Sequence, residues 1–355
     1  MIEIWRAGGA ERSASLEEAR SVEVAGWDGQ IFMDSQSLCA DPYARMGVWA
    51  AGTERIKLAT GVTNPLTRHP AVTAASAAGV HAISGGRAVL GIGRGDSALA
   101  YLGYAPVRLP AFRRALQDLQ TLLSGGEVEF ESFAPVENAP SLASMSLAGR
   151  PTGTALKWLP SDLPKVPLDV AATGPKVIEM AATIAERVTF SVGANPERVR
   201  WAVDLARAAR RKAGLSEEGL NLGLQVIVIC DPDIDAVREY APLFVTPLAR
   251  FQVMQGEAAG PQSESDKANF HLVRHGYDMN KHGDTDPGDK VAGGTLTWDF
   301  VERFAIVGPP DRCIERLLEL TRLGIERFMI VGPDLIQPGP TLFSREVIPA
   351  LRAAV

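Results

Sequence analysis

Short apolar runs alternate along the chain with segments whose apolar residues recur at helical spacing. Ile2 to Arg6 predicts a first strand, and Ser15-x-x-Glu18 a capping box that opens a helix over 16–25, with Gly26 as its stop. Gly29 to Met33 predicts a second strand, and Asp41-Pro42 a helix with proline at its first position. A third strand spans 56–61 with a helix over 70–83, and a fourth spans 88–92 with a helix over 110–124. Residues 125–165 are less regular, with Val128-Glu129-Phe130 as one arm of a small hairpin. The alternation then resumes: strand 168–171, helix 175–185, strand 187–191, helix 196–213. Leu222 to Ile229 predicts a buried strand, 311–323 a helix with Ile314, Leu317, Leu318 and Thr321 on one face, and Arg327 to Val331 a last strand.

About eight strands alternating with helices close most simply as a (β/α)8 TIM barrel, one domain over 1–355. A doubly wound open sheet is the alternative. Residues 232–300 are expected to be an insertion within the barrel. Its part 255–297 is rich in Gly, Ser, Asp and His, and reads as a lid over the active-site face or as an oligomer contact.

Composition narrows the class. The 355 residues, 46% hydrophobic and 22% charged, are ample for a large core. A net charge of −6 argues against a general nucleic-acid binder. No apolar run reaches the roughly 20 residues of a membrane span. The start, MIEIWRAGG, reads as a strand and not as a signal peptide. Cys39, Cys230 and Cys313 are scattered, without metal spacing or a secreted framework, so a cytoplasmic location is expected.

Candidate chemistry gathers where strands end. The third strand ends in Thr60-Gly61-Val62-Thr63, the fourth in Gly93-Arg94-Gly95-Asp96, and the next in Ala172-Thr173-Gly174-Pro175-Lys176. Chain with so little side-chain bulk can press its backbone against a flat ligand, and in an α/β barrel the C-terminal strand ends carry the active site. Gly174-Pro175-Lys176 opens a helix whose free N–H groups favour an anion, and Ser191 and Gly193 at the following strand end offer a hydroxyl and more amides to it. Tight strand-to-helix turns account for the same glycines.

Asp34 ends the second strand and is either a ligand acceptor or a helix cap. Glu3 alternates onto the side of Trp5; inside a barrel its pKa is expected to rise, which suits a general acid, unless it is solvated near the chain start. His271 and His275 share a helix face, with His282 and Asp284 following, yet nothing else supports a metal, and no metal site is expected. His69 reads as a buried turn residue. The glycine loop is not G-x-G-x-x-G, and no G-x-S-x-G elbow is present.

Taken in order, these residues resemble the bacterial luciferase-like family of flavin- and deazaflavin-dependent oxidoreductases, over about residues 1–200 and more loosely over 305–333. The likeness is strongest to the coenzyme F420-dependent methylenetetrahydromethanopterin reductase type. It implies that Glu3 matches a first-strand glutamate, a proton donor or iminium-stabilising carboxylate, and that Asp34 matches the second-strand aspartate. It implies a non-prolyl cis peptide at Gly61-Val62 behind the deazaflavin ring, with Thr60, Thr63, Gly93, Arg94, Gly95 and Asp96 around it. Ala172 to Lys176 would lie near the cofactor's phosphate tail, and Asp34 and Asp96 would join Glu3 in catalysis. One departure stands out: Ser35 occupies the position where many members carry a histidine, so the family's sugar-phosphate chemistry is not expected.

The expectation is hydride transfer between F420 and an organic substrate such as a methylene-tetrahydropterin, alcohol or ketone. The alternatives are an FMN-dependent monooxygenase, a flavin-free reductase using NAD(P)H, and a non-catalytic flavin-binding member. The partners expected are a small-molecule substrate and a second copy in a homodimer, with no nucleic acid and no membrane.

Overall fold

Four of the chain's βα junctions share one local device, a capping residue followed by proline. Asp41-Pro42, His69-Pro70, Gly174-Pro175 and Asn195-Pro196 each start a helix in the computed structural model. Proline costs nothing there, because the first helical N–H has no partner in any case. The structure describes residues 2–8, 14–136, 138–282, 295–333 and 340–354.

In chain order the strands are β1 (Glu3–Ala7), β2 (Gly29–Phe32), β3 (Lys57–Thr60), β4 (Ala88–Ile92), β5 (Val128–Glu129), β6 (Gly153–Thr154), β7 (Leu168–Ala172), β8 (Arg187–Phe190), β9 (Asn221–Cys230), β10 (Ile306–Gly308) and β11 (Arg327–Val331). The helices are α1 (Leu16–Val24), α2 (Pro42–Gly52), α3 (Pro70–Ile83), α4 (Ser97–Ala100), α5 (Leu109–Leu123), α6 (Pro175–Ile184), α7 (Pro196–Lys212), α8 (Ile234–Val253), α9 (Glu264–Gly276), α10 (Trp298–Phe304), α11 (Pro310–Arg322) and α12 (Ile348–Ala353).

Eight strands pair in parallel in the cyclic order β1-β2-β3-β4-β7-β8-β9-β11, and β11 returns to β1. The structure is therefore the closed (β/α)8 barrel. β5 and β6 pair antiparallel, but the expected arm is shorter than read: it stops at Glu129, and Phe130 begins a 3-10 turn.

Alternation along each strand builds two cores. Trp5, Ile31, Ala59, Val89 and Met329 point into the barrel and fill its waist. The outward residues, such as Ile4, Phe32, Leu58 and Leu90, join the helices in the main core. A third core belongs to the insertion, where Val237, Val245, Phe270, Val273, Phe300 and Phe304 pack over Ile227 and Ile229 of β9.

The described part of the insertion is thus a packed helical layer and not the polar loop the composition suggested. α8 runs 20 residues through Pro242 and Pro247. The Thr246 hydroxyl donates to the Pro242 carbonyl at 2.7 Å, while the N–H groups that the two prolines lack would have met the carbonyls of Arg238 and Leu243. Arg198 fastens the layer to α7: it donates to the carbonyls of Val192, Ala259 and Pro261 and to Gln252 Oε1, with Phe270 stacked on it. Among the described residues no helix is long and apolar enough to cross a membrane.

Candidate functional site at the C-terminal mouth of the barrel

β3 leaves the sheet at Thr60 and rejoins it three residues later. Gly61 N–H donates to Phe32 O at 2.7 Å, the Gly61-Val62 peptide is cis, and Thr63 bridges to Ile92 of β4. Thr63 N–H reaches Gly91 O at 3.0 Å and Gly93 N–H returns to Thr63 O at 2.9 Å. The Thr60 hydroxyl donates to Gly91 O at 2.7 Å and is taken up in the same clasp. The result is a bulge whose Gly61 and Val62 remain half-buried at the mouth.

Glycine is required here by contact. A Cβ on Gly61 would sit 1.6 Å from Ile31 Cγ2, and one on Gly91 would sit 1.9 Å from Thr60 O. Thr63 is fully buried, and its hydroxyl and the Asn64 Nδ2 lack hydrogen-bond partners.

Two aspartates flank the bulge, and an arginine holds each. Asp34, after β2, is 8% exposed; Arg68 reaches it at 2.5 Å and Asp41 at 2.5 Å. The Arg68 guanidinium lies over the Tyr43 ring. Burial, with the nearby Asp34 charge, pushes the Tyr43 phenol well above its ordinary value. Asp96, after β4, pairs with Arg250 of α8. Ser97 and Ser35 share a hydrogen bond of 3.1 Å and Gln36 donates to Ala98 O at 2.8 Å, so the β2 and β4 loops are tied together. Arg94 spends its guanidinium on Val107 O (2.6 Å) and Gln255 (2.5 Å), joining the glycine loop to the insertion.

Ala172 is buried, Thr173, Gly174 and Pro175 are half-buried, and Lys176 is exposed. α6 begins there without a side-chain cap; Pro175 has no N–H and the Val177 N–H donates to Gly174 O at 3.1 Å, so the Lys176 amide is the one open to an acceptor. Lys176 makes no ion pair among the described residues. Ser191 and Gly193 are turned to other work: the Ser191 hydroxyl donates to Gln225 at 2.6 Å, and Gly193, at φ +77°, backs onto the Phe304 ring. Gly95 likewise serves a turn at φ +92°.

Glu3 is the main correction. It stands at the N-terminal end of β1, beside Arg327 at the start of β11, at the end of the barrel opposite the bulge. Lys57, at the start of β3, reaches it at 2.6 Å; Arg187, at the start of β8, at 2.5 Å; and the Trp5 indole at 2.8 Å. Burial works against its charge, but Arg187 and Lys57 outweigh burial and hold the carboxyl down at about 2. A carboxyl so firmly ionised, on the far side of Trp5, does not serve as the expected proton donor. Where β1 meets the mouth the inward residue is Ala7. Below Trp5 the network continues with Asp169, which Arg327 meets at 2.9 Å with both side chains almost fully buried.

No group of three metal-ligating side chains occurs among the described residues. His271 and His275 lie exposed with rings 4.3 Å apart, and Asp284 lies outside the described residues. His69 is exposed and caps α3, accepting from Ala71 N–H at 3.2 Å. Arg68, Tyr43 and Arg250 were missed by sequence reading. Arg68 stood beside the bulge motif, whereas nothing in the sequence links Arg250 to Asp96, 154 residues away.

The sequence model of the family described as luciferase-like monooxygenase matches residues 4–327. The chain is 29% identical over 336 residues to 5,10-methylenetetrahydromethanopterin reductase of Methanopyrus kandleri, covering 86% of this chain and 87% of the relative. It superposes on the structure of coenzyme F420 dependent tetrahydromethanopterin reductase from Methanopyrus kandleri with a TM-score of 0.71 at 22% identity, covering 99% of both chains. A structure of an F420-dependent secondary alcohol dehydrogenase, in complex with an F420-acetone adduct, gives a TM-score of 0.70 at 19% identity, covering 99% of both.

Proposed function

The chain belongs to the luciferase-like monooxygenase family, and from that premise we propose that it is an F420-dependent oxidoreductase transferring a hydride between the deazaflavin and a small organic substrate. The two solved structures named above are of F420-dependent enzymes, and the residues at the mouth fit such a group. The observation that carries the reading is the division of the mouth into two parts. One is a wall of backbone, Gly61-Val62 beside Gly93, where a Cβ on Gly93 would already meet Val62 at 3.0 Å. The other is the uncapped start of α6 with the unpaired Lys176. The wall suits the face of a flat ring, and the helix start with its cation suits an anionic tail.

When bound, F420 would supply the hydride chemistry itself. Gly61, Val62, Gly93 and Gly95 would support the ring. Asp34 and Asp96, each fixed by an arginine, would frame its edges. Thr173, Gly174, Pro175 and Lys176 would receive the phosphate tail. The chain's contribution is orientation, which holds the two reacting carbons at a fixed approach distance. A cytoplasmic location is expected from the scattered cysteines, and a homodimer from the family resemblance. The insertion, fastened across β9 and β11, is expected to roof the mouth.

The deciding experiment is a fluorescence-quenching titration of the purified protein with F420 and with FMN in parallel. Binding of F420 alone supports the proposal. Binding of FMN alone overturns it in favour of an oxygen-dependent monooxygenase. Binding of neither overturns both.

A further inference from the structure

The insertion brings a second set of titratable groups to the glycine loop. Tyr277 closes α9, and its hydroxyl lies 2.5 Å from His282 Nδ1. The Arg250 guanidinium lies 4.9 Å from the centre of the Tyr277 ring, and the same guanidinium pairs with Asp96. Tyr101, at the end of α4, donates to Met279 O at 3.1 Å and pins the short turn Met279–Lys281 that carries the chain to His282. A phenol hydrogen-bonded to an imidazole is therefore held beside the loop that walls the mouth.

The other acids at the mouth are already spoken for. Asp34 and Asp96 are each ion-paired to an arginine, Arg68 being shared between Asp34 and the exposed Asp41, and the inward residue at the top of β1 is Ala7. An iminium substrate calls for an uncompensated negative charge beside it, and accepts hydride without a proton. A carbonyl calls for a proton donor, and an alcohol for an acceptor, in step with hydride transfer. The mouth offers the second kind of group.

We propose that Tyr277, relayed through His282, is the proton-transfer residue of this site, and that the substrate is accordingly an alcohol–carbonyl pair. The proposal rests on the F420 reading above. In the oxidising direction the carbinol C–H bond breaks and its electron pair leaves as hydride to the oxidised deazaflavin. The substrate hydroxyl proton passes to Tyr277 Oη as the phenol proton passes to His282 Nδ1, and the C–O bond becomes C=O. The alcohol is oxidised, the cofactor is reduced, and the proton leaves His282 for solvent.

The surroundings suit that role. Burial pushes the Tyr277 phenol up to about 12, with Asp96 from the β4 loop and Tyr101 from α4 raising it and Arg250 from α8 lowering it. The phenol thus stays protonated at neutral pH and relies on His282 to receive its proton.

The test uses the full chain with F420, 2-propanol and cyclohexanol as probes, and methylenetetrahydromethanopterin with reduced F420 as the contrast. Wild type is expected to oxidise at least one alcohol. Tyr277→Phe is expected to lower kcat about 100-fold and His282→Asn about 10-fold or more, while the F420 dissociation constant changes less than about twofold. H282N should also remove an ionisation from the pH profile of kcat. A readout independent of turnover is the ring ¹⁵N resonances of His282, assigned against H282N. Cyclohexanol should shift them in the F420-loaded wild type and not in Y277F.

Tight F420 binding with reduction of the pterin and no oxidation of either alcohol overturns the proposal and leaves the cofactor reading standing. So does F420 binding with no turnover of any probe, or unchanged kcat and pH profile in both variants. Failure to bind F420 overturns the cofactor reading and the proposal with it.

Discussion

Replacing Glu3 by Gln separates a scaffold role from a catalytic one. In the folded protein the carboxyl is held at about 2, against an ordinary 4.5. At about 1.4 kcal/mol per unit, that difference is a stabilisation of about 3 kcal/mol. The side chain is 23% exposed, so solvent screening removes little of it. Because the folded value lies below the unfolded one, the contribution is fully present above pH 4.5 and is lost as pH falls through 2.

Gln keeps an acceptor for the Trp5 indole or for Arg187, but leaves Lys57 and Arg187 without their counter-charge. E3Q is therefore expected to lose about 2–3 kcal/mol at pH 7. With an unfolding entropy of about 2.1 cal/mol/K per residue over 355 residues, that is a fall in Tm of about 3–4 °C. The assay is paired denaturant titration of wild type and E3Q from pH 7 down to pH 2.5, with the F420 dissociation constant and turnover measured alongside. The stability gap should narrow below pH 4.5, with cofactor affinity and kcat little changed. A hundredfold loss of kcat with no loss of stability would refute the placement of Glu3 in the barrel's structural network, as would a gap that persists on acidification.

Three further outcomes are expected. Gly61→Ala places a methyl 1.6 Å from Ile31 Cγ2, so it should cost about 1–3 kcal/mol of stability and abolish quenching of bound F420. Lys176→Ala should weaken F420 about twofold to fivefold at low salt, while leaving affinity for a phosphate-free deazaflavin unchanged; equal weakening of both would refute the tail assignment. Arg198→Ala removes the donor to four acceptors around 192 and 252–261, and should speed proteolytic cleavage within 254–262 before the barrel unfolds, as followed by mass spectrometry.

The barrel was legible in the sequence because each βα unit carries its own local signals. Strand alternation, a cap such as Asp41 and a following proline all act over a few residues, so they survive without knowledge of the fold. The strand-end glycines were legible for the same reason, and the family resemblance located the Gly61-Val62 cis peptide. Glu3 was misread because alternation tells which face a side chain takes, not which end of the barrel its partners occupy. Those partners, Lys57 and Arg187, lie 54 and 184 residues away. α8 was hidden by Pro242 and Pro247, whose effect is offset by the packing of Val237, Val245 and Leu248, which no local pattern reports. The Tyr277–His282 pair and Arg250 reach the mouth only through the tertiary path of the insertion.

β9 is ten residues long, and its alternate side chains enter different cores. Val226 and Val228 face the helices of the barrel, while Ile227 and Ile229 face the insertion. A slip of one residue would exchange the two sets. The roof and the barrel therefore share a single register, and neither can be removed, grafted or circularly permuted as a separate cassette across this strand. A chimera that exchanges substrate pockets between relatives should therefore carry β9 together with the insertion, cut before Asn221 and at Pro309, after β10.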